Sequence, residues 1–242
     1  MASNNNNNSY YGPTFHDTNS IETIHEKRPG DLEIGTAPGF VPINSVKRTM
    51  GNPSPLGLWS FGMVTILLGT YNLFLPYQSN HIIFPSAIMF GGLAQFISGF
   101  MDFWYGGTFG GTVFVSYGAF WTGQGLMMLT QISTNTLNGY TDSTDLDNAL
   151  GIYKFYWSMY TLMLLGVSLK LRGGSFVLSW CLGFVFLTLL LESLDYFTGI
   201  KILLRISGVT AFLAALGAYY KGVAEVFEEQ DVKLWLGEFK KN

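Results

Sequence analysis

Charged residues are scarce in this chain of 242 residues. Asp, Glu, Lys and Arg make up 12% of the sequence and hydrophobic residues make up 48%, whereas a soluble domain carries about 25% charged residues. The shortage is concentrated between residues 56 and 220, where long apolar runs follow one another. Such runs are typical of a polytopic membrane protein. The net charge of −3 does not favour a nucleic acid as partner.

Cysteine, histidine and catalytic motifs are also sparse. Cys181 is the single cysteine and lies in an apolar run, so neither a disulfide nor a cysteine metal cluster is expected. The three histidines, His16, His25 and His81, form no helical metal-binding pair, and the chain contains no nucleophile motif and no Walker loop. The sequence therefore predicts a protein that is not an enzyme and that needs neither a metal nor another cofactor.

Three regions differ in composition. Residues 1–50 are polar, with five successive asparagines, and are expected to form a disordered cytoplasmic tail. Residues 51–222 are expected to form the membrane domain, and residues 223–242 a short cytoplasmic tail. A helix that crosses a bilayer needs about 17–25 residues. The six predicted spans are residues 56–74, 84–104, 109–130, 150–169, 176–194 and 203–221.

Basic residues in the connections predict the orientation. They precede the first span and follow the fourth and the sixth: Lys47, Arg48, Lys170, Arg172, Lys221, Lys233, Lys240 and Lys241. Because basic connections face the cytoplasm, both termini are expected inside the cell, at the plasma membrane. Lys201 and Arg205, between the last two spans, oppose this pattern. We expect them to snorkel to the interface, to pair with Glu192, or to attract anions to an outer mouth.

The segment from Asn52 to Leu58, Asn-Pro-Ser-Pro-Leu-Gly-Leu, stands where the polar tail meets the first apolar run. Ser54 is a favourable N-cap and Pro55 a favourable first helical residue, so a helix is predicted to begin here and not earlier. The amides of residues 56–58 would then lack intrahelical partners. Together with the positive end of the helix dipole, such amides can receive a small anion.

Few polar side chains lie within the predicted spans, and a polar or ionisable side chain there is a candidate for function. Asn72 lies near the end of the first span, Gln95 within the second and Asp102 near its end. Glu192 lies in the fifth span. We expect Asp102 and Glu192 to serve in coupling or gating. Alternatively, Gln95 bonds a neighbouring helix and Asp102 is solvated at its helix end.

Several short motifs occur in a fixed order along the chain. After the heptapeptide come Phe61-Gly62-Met63, Gly-Gly-Leu-Ala-Gln-Phe from residue 91, Thr-Phe-Gly from residue 108, Ser-Tyr-Gly-Ala-Phe-Trp from residue 116 and Ala-Glu-Val-Phe-Glu-Glu-Gln from residue 224. In these motifs and their spacing, the chain resembles the acetate uptake transporter family, which includes bacterial succinate–acetate permeases and fungal acetate transporters. The resemblance covers about residues 52–230.

The resemblance implies an all-α membrane protein, a six-transmembrane-helix bundle with one pore per protomer that assembles as a homo-hexamer in the lipid bilayer. It implies transport of acetate and other short monocarboxylates, in some members succinate, with proton coupling left open. By motif position, Phe61, Tyr117 and Leu182 match the apolar narrow point of the family's pore, where a tyrosine hydroxyl offers one hydrogen bond to a carboxylate. The substrate-binding and pore residues expected are Asn52, Pro53, Leu56, Gly57, Leu58, Phe61, Asn72, Gln95, Tyr117 and Leu182.

Two positions depart from the family pattern, and two other functions stay open. The family commonly has Glu where Asp102 stands and Asn where Gly107 stands. An ammonium or small neutral solute channel is the first alternative. A non-transporting membrane protein that senses acetate is the second, favoured only by the long N-terminal tail.

Overall fold

The computed structural model describes residues 51–133, 140, 142–171 and 174–238, and for residues 129–133 it describes the backbone alone. The predicted tail of residues 1–50 lies outside the described residues, so it stays a prediction. In the described part of the chain the regular structure is helical, apart from one isolated antiparallel bridge between Ser175 and Glu238.

Six long helical segments follow one another, and each overlaps one predicted span. They are α1 (Ser54–Phe74), α2 (His81–Trp104), α3 (Thr108–Ser133), α4 (Ser143–Ser168), α5 (Phe176–Thr198) and α6 (Lys201–Glu228). Among the described residues, α1, α2, α5 and α6 are long and apolar enough to cross a membrane by length and composition. The largest differences from the predicted boundaries are at α4, which begins at Ser143, and at α6, which continues to Glu228.

The start of α1 differs from the prediction in its details. Ser54 already belongs to the helix, and Pro53 before it has helical angles and makes no side-chain cap. The capping role expected of Ser54 falls to Asn52, whose Oδ1 accepts the Ser54 N–H at 3.1 Å. A residue before proline is disfavoured in a helix but not barred from it. Ser54 is therefore helical although Pro55 follows it in the first turn.

Helix ends are fixed by local side chains at α4 and α5. Asp142 accepts the Thr144 N–H at 3.2 Å at the start of α4. Ser175 accepts the Leu178 N–H at 3.2 Å at the start of α5. Gly199 ends α5 with φ of 69°, a left-handed conformation that glycine adopts without steric cost. Since Lys201 begins the next helix, α5 and α6 are joined by a sharp reversal.

Helix α2 is irregular in its first half. It starts as a 3₁₀ turn (His81–Ile83) and a short α-helical piece (Phe84–Ser86), continues as a π-helix (Ala87–Ala94) and ends as an α-helix (Gln95–Trp104). The π-helical part carries Gly91, where a Cβ atom would lie 2.6 Å from Cγ2 of Val64 and 3.0 Å from Cγ of Trp121. Here α2 therefore contacts α1 and α3 with no space for a side chain.

The first and last helices pack along small residues. In α1, a Cβ on Gly69 would lie 3.0 Å from the Gly208 carbonyl oxygen of α6, and a Cβ on Gly208 would lie 2.8 Å from the Gly69 carbonyl oxygen. The alanines that follow Gly208 at helical spacing are fully buried: Ala211, Ala215 and Ala218. The stripe of small residues predicted for the sixth span therefore packs against α1, as small residues do between membrane helices.

Candidate functional site

A cavity of about 140 Å³ lies among α1, α2, α3, α5 and α6. Its apolar wall consists of Leu58, Phe61, Phe109, Val113, Phe114, Leu178, Leu182 and Val185. The side chains that bring a polar group to the wall are Ser54, Gln95, Tyr117, Cys181 and Lys221. One water takes about 30 Å³ in the liquid, so the cavity suits a ligand of a few non-hydrogen atoms.

Phe61, Tyr117 and Leu182 lie together in the wall of this cavity. All three are buried, and the rings of Phe61 and Tyr117 have their centroids 5.6 Å apart. Ser54 stands at the start of α1, so the seven residues to Phe61 place this group about 10 Å deeper than the helix end. The three residues matched from sequence motifs are thus brought to one level by three different helices.

Gln95 is the polar residue at the inner wall. It is 1% exposed, and its Oε1 accepts no hydrogen bond from the described residues. The expected alternative, in which Gln95 serves to bond a neighbouring helix, leaves this atom unexplained. A carboxamide oxygen accepts, so Gln95 offers its Oε1 to a hydrogen-bond donor of a small ligand in the cavity.

Lys221 is the single charged residue in the described wall, and its side chain is 16% exposed, so we take this side of the cavity as its mouth. Its ammonium group forms an ion pair with Glu225, one turn further along α6. Asn52 joins the same group, because its Nδ2 donates to Glu225 at 3.4 Å and its backbone N–H donates to Glu229 at 3.0 Å. The start of α1 and the end of α6 are thereby connected beside the entrance. The i, i+4 spacing of Lys221 and Glu225 was visible in the sequence as a pair that helices favour.

The heptapeptide contributes to the cavity through fewer residues than expected. Leu58 lines it, as does Ser54, whereas Leu56 is 40% exposed on the outside. Asn52 has both side-chain atoms engaged with protein groups. Of the heptapeptide residues expected at the pore, Leu58 is therefore the one that lines the cavity.

Pro53 and Gly57 serve the packing of α1. The Pro53 carbonyl oxygen accepts the Ser98 hydroxyl at 2.7 Å and the Gly57 N–H at 3.3 Å. A Cβ on Gly57 would lie 2.6 Å from Ser98 Oγ. The prediction that the Gly57 amide is free is wrong, because the helix begins earlier than expected. For the same reason the Leu58 N–H points along the helix to the Ser54 carbonyl.

Asn72 and Glu192 belong to a second, buried polar cluster. Asn72 Nδ2 donates to Glu192 Oε1 at 2.7 Å and to Ser207 Oγ at 3.1 Å. The charge of Glu192 is neutralised by Lys154 of α4, whose Nζ lies 2.8 Å from Oε2. The cluster connects α1, α4, α5 and α6, and its members are absent from the cavity wall.

The pairing of Glu192 predicted from sequence is wrong. Lys201 is bound instead to Asp195, with 2.8 Å between Nζ and Oδ2. Lys154 is the missed partner: it is buried, and its ammonium lies 5.2 Å from the centroid of the Phe120 ring. Lys154 has no acidic residue at helical spacing within its own aromatic run, so the local sequence does not predict its pairing with Glu192.

Asp102 lies near the end of α2, against the turn that leads to α3. A Cβ on Gly107 would lie 2.6 Å from Cγ of Asp102, and a Cβ on Gly110 would also clash with this carboxylate. The two departures from the family pattern therefore fall on positions that touch each other, and a side chain at position 107 would require the Asp102 carboxylate to move. Asp102 does not line the cavity.

The fold and the cavity define a multi-pass helical membrane protein with an internal pocket for a small molecule. The chain belongs to the GPR1/FUN34/yaaH family, whose model matches residues 35–240. This confirms the resemblance found in the motifs.

Similar proteins carry names of transporters. The chain is 32% identical to the succinate-acetate/proton symporter SatP of Escherichia coli K12 over 181 residues, which cover 75% of this chain and 91% of that protein. It is 31% identical to ammonia transport outward protein 2 of Saccharomyces cerevisiae, over 87% of this chain and 71% of that protein. Among solved structures, the bacterial acetate channel SatP matches with a TM-score of 0.68 and 29% identity, covering 78% of this chain and 99% of that one.

Proposed function

We propose that this protein moves acetate and other short monocarboxylates across a membrane through the cavity between its helices. The observation that carries the proposal is the composition of the cavity wall. One cation, Lys221, lies in the wall of a small and mostly apolar space that Phe61, Tyr117 and Leu182 also line. A short carboxylate has one charged end and one apolar end, so it matches both parts. The names of the relatives support the same substrate.

The path has two steps in this proposal. The substrate carboxylate first meets Lys221, where it competes with Glu225 for the ammonium group. Its methyl group then enters the apolar part of the cavity, and Gln95 Oε1 accepts a hydrogen bond from the protonated acid at the inner wall. The chemistry needs neither a cofactor nor a metal. The proposal is transport and not catalysis, because similar proteins are named as a symporter and a channel.

The assembly and location follow the family resemblance. We propose six membrane spans, one pore per protomer and a homo-hexamer in the plasma membrane, with both termini in the cytoplasm. Coupling to protons is part of the name of the bacterial symporters. For this chain, we propose coupling in which the acid and its proton cross together.

The test is uptake of labelled acetate into vesicles that contain the purified protein, with a variant that fills the cavity. Leu58→Trp places a large ring in the cavity and should abolish uptake. Leu56→Trp adds the same ring two residues away on the outer face, where Leu56 is 40% exposed, and should leave uptake intact. Both variants are compared at equal protein content and after a thermal unfolding check.

Two outcomes would contradict the proposal. Absence of uptake by the correctly inserted wild-type protein would exclude acetate as the substrate and favour a sensor. Uptake by Leu58→Trp equal to that of wild type would exclude this cavity as the path. Ammonium uptake without acetate uptake would favour the ammonium channel, although Lys221 at the mouth repels a cation.

A further inference from the structure

The hydroxyl of Tyr117 is held by Thr161, a residue of α4 outside the cavity wall. Tyr117 Oη and Thr161 Oγ1 are 2.8 Å apart. Thr161 Oγ1 also lies 2.8 Å from the Trp157 carbonyl oxygen, to which it donates. Tyr117 is 2% exposed and Thr161 is fully buried, so water does not compete for these bonds.

With Thr161 donating to the Trp157 carbonyl oxygen, the direction of its bond with Tyr117 follows. A carbonyl oxygen only accepts, and a threonine hydroxyl has one hydrogen. When Thr161 gives that hydrogen to Trp157, its oxygen is left to accept, and Tyr117 must be the donor of the bond between them. The single hydrogen of Tyr117 is then used within the protein. Towards the cavity, the Tyr117 oxygen can only accept.

We infer that Thr161 sets which form of the substrate passes Tyr117: by holding the tyrosine hydrogen, it makes the narrow part of the cavity favour the protonated acid over the carboxylate anion. A protonated acid donates its O–H to the Tyr117 oxygen. A carboxylate carries no hydrogen to donate and meets a lone pair there instead. The unpartnered Gln95 Oε1 also accepts and so favours the same protonated form, but it is identical in every Thr161 and Ser116 variant and cannot cause a difference between them. The inference rests on the proposed transport of monocarboxylates.

The same geometry occurs a second time between α3 and α4, away from the cavity. Ser116 Oγ donates to the Thr112 carbonyl oxygen at 2.6 Å and lies 2.7 Å from Tyr160 Oη. Ser116 and Tyr160 lie outside the wall of the 140 Å³ cavity and line a separate, more open pocket. Loss of the Ser116 hydroxyl breaks a comparable hydrogen bond between α3 and α4 without changing a residue of the cavity wall. Ser116→Ala is therefore a matched control.

The ionisable groups near Tyr117 would not cause a difference in the pH profile of acetate uptake between the Thr161 and Ser116 variants. Cys181 of α5 and Tyr160 of α4 are its titratable neighbours, and Lys154 lies beyond the Phe120 ring. These residue types ordinarily titrate above about pH 8. Glu192 and Glu225 are carboxyl groups like the substrate, but they are the same in every variant. A change in the pH profile between variants therefore reports the hydroxyl pair.

The experiment compares initial acetate uptake at a pH near about 4 to 5, where carboxyl groups ionise, with uptake at neutral pH. Wild-type uptake should fall as the protonated acid disappears. Thr161→Val removes the acceptor of the Tyr117 hydrogen, which is then free to bond the anion. The ratio of acidic to neutral uptake should drop by about fivefold, the effect of one hydrogen bond. Thr161→Ser keeps the hydroxyl and should keep the wild-type ratio, as should Ser116→Ala.

A double variant identifies the atom responsible. The double variant Tyr117→Phe, Thr161→Val has no hydroxyl at position 117. It should therefore lose the increase in acetate uptake at neutral pH that Thr161→Val alone should show. If the Thr161→Val variant inserts poorly into the membrane, Thr161→Ala removes the same hydroxyl and should give the same change in the uptake ratio. An unchanged ratio in a transporting Thr161 variant would overturn the inference, and so would an equal change in Ser116→Ala or a gain that persists in the double variant. In each case wild-type uptake remains, so the proposed function would stand.

Discussion

At the scale of single residues, the sequence indicates Lys221 only as a signal of membrane orientation. The structure places it in the cavity wall and binds it to Glu225. Phe61 and Tyr117 were predicted as neighbours because short motifs identify them. Lys154 and Thr161 were missed because their partners lie on other helices, at separations of 38 and 44 residues that leave no local pattern.

If Lys221 contacts the substrate, removal of Lys221 and removal of the Glu225 charge should change the apparent affinity for acetate in opposite directions. Lys221→Met should weaken the apparent affinity for acetate by about tenfold, since a charge-assisted hydrogen bond is lost. Glu225→Gln should strengthen it, because the ammonium no longer has an internal carboxylate partner. Concentration dependence of labelled acetate uptake measures both. Lys233→Met, which removes an exposed lysine, is the control. Equal affinities in Lys221→Met and Lys233→Met would exclude Lys221 as a substrate contact.

At the scale of helices, the positions of the helices were predictable and their irregularities were not. Apolar runs located the apolar part of each helix, since a run long enough to cross a bilayer has few alternatives in lipid, but they missed the polar first turns of α4 and the polar end of α6. The π-helical part of α2 was not predicted, because Ala87–Ala94 is apolar in either conformation. It follows from packing: Gly91 has Val64 and Trp121 where a side chain would be.

This packing predicts a cost for any side chain at Gly91. Gly91→Ala should lower the free energy of unfolding by about 1–3 kcal/mol, the usual range for overpacking. Gly166→Ala is the control, because a Cβ atom there meets nothing within 4 Å. In an exposed helix position, alanine is favoured over glycine by about 1 kcal/mol. Denaturant titration in detergent measures both, and an equal loss of stability in the two variants would contradict the close contact described for α2.

At the scale of the whole molecule, the fold class was predictable from composition alone, whereas orientation depends on a few basic residues. Cys181 is the single cysteine and is buried. The wild-type protein therefore gives no background with a thiol reagent that cannot cross membranes. This makes the predicted orientation directly measurable with cysteines introduced at exposed positions.

Two such positions lie on opposite predicted sides of the membrane, and both are exposed. Lys233→Cys follows α6, and Asp145→Cys lies in the first turn of α4. With both termini in the cytoplasm, the reagent should label Asp145→Cys in intact cells and Lys233→Cys only after permeabilisation. Acetate uptake by each variant shows that it is folded. The reverse labelling pattern would overturn the predicted orientation.

The glycine contact between α1 and α6 has a consequence for biosynthesis. Gly69 packs on Gly208, but 126 residues separate Phe74 at the end of α1 from Lys201 at the start of α6. At about 5–20 residues per second, the ribosome needs roughly ten seconds to cover that distance. During this time the first helix is already available to the bilayer while its partner does not yet exist. Its glycine surface must be covered by lipid, by a chaperone or by another copy of the nascent chain until translation is nearly complete.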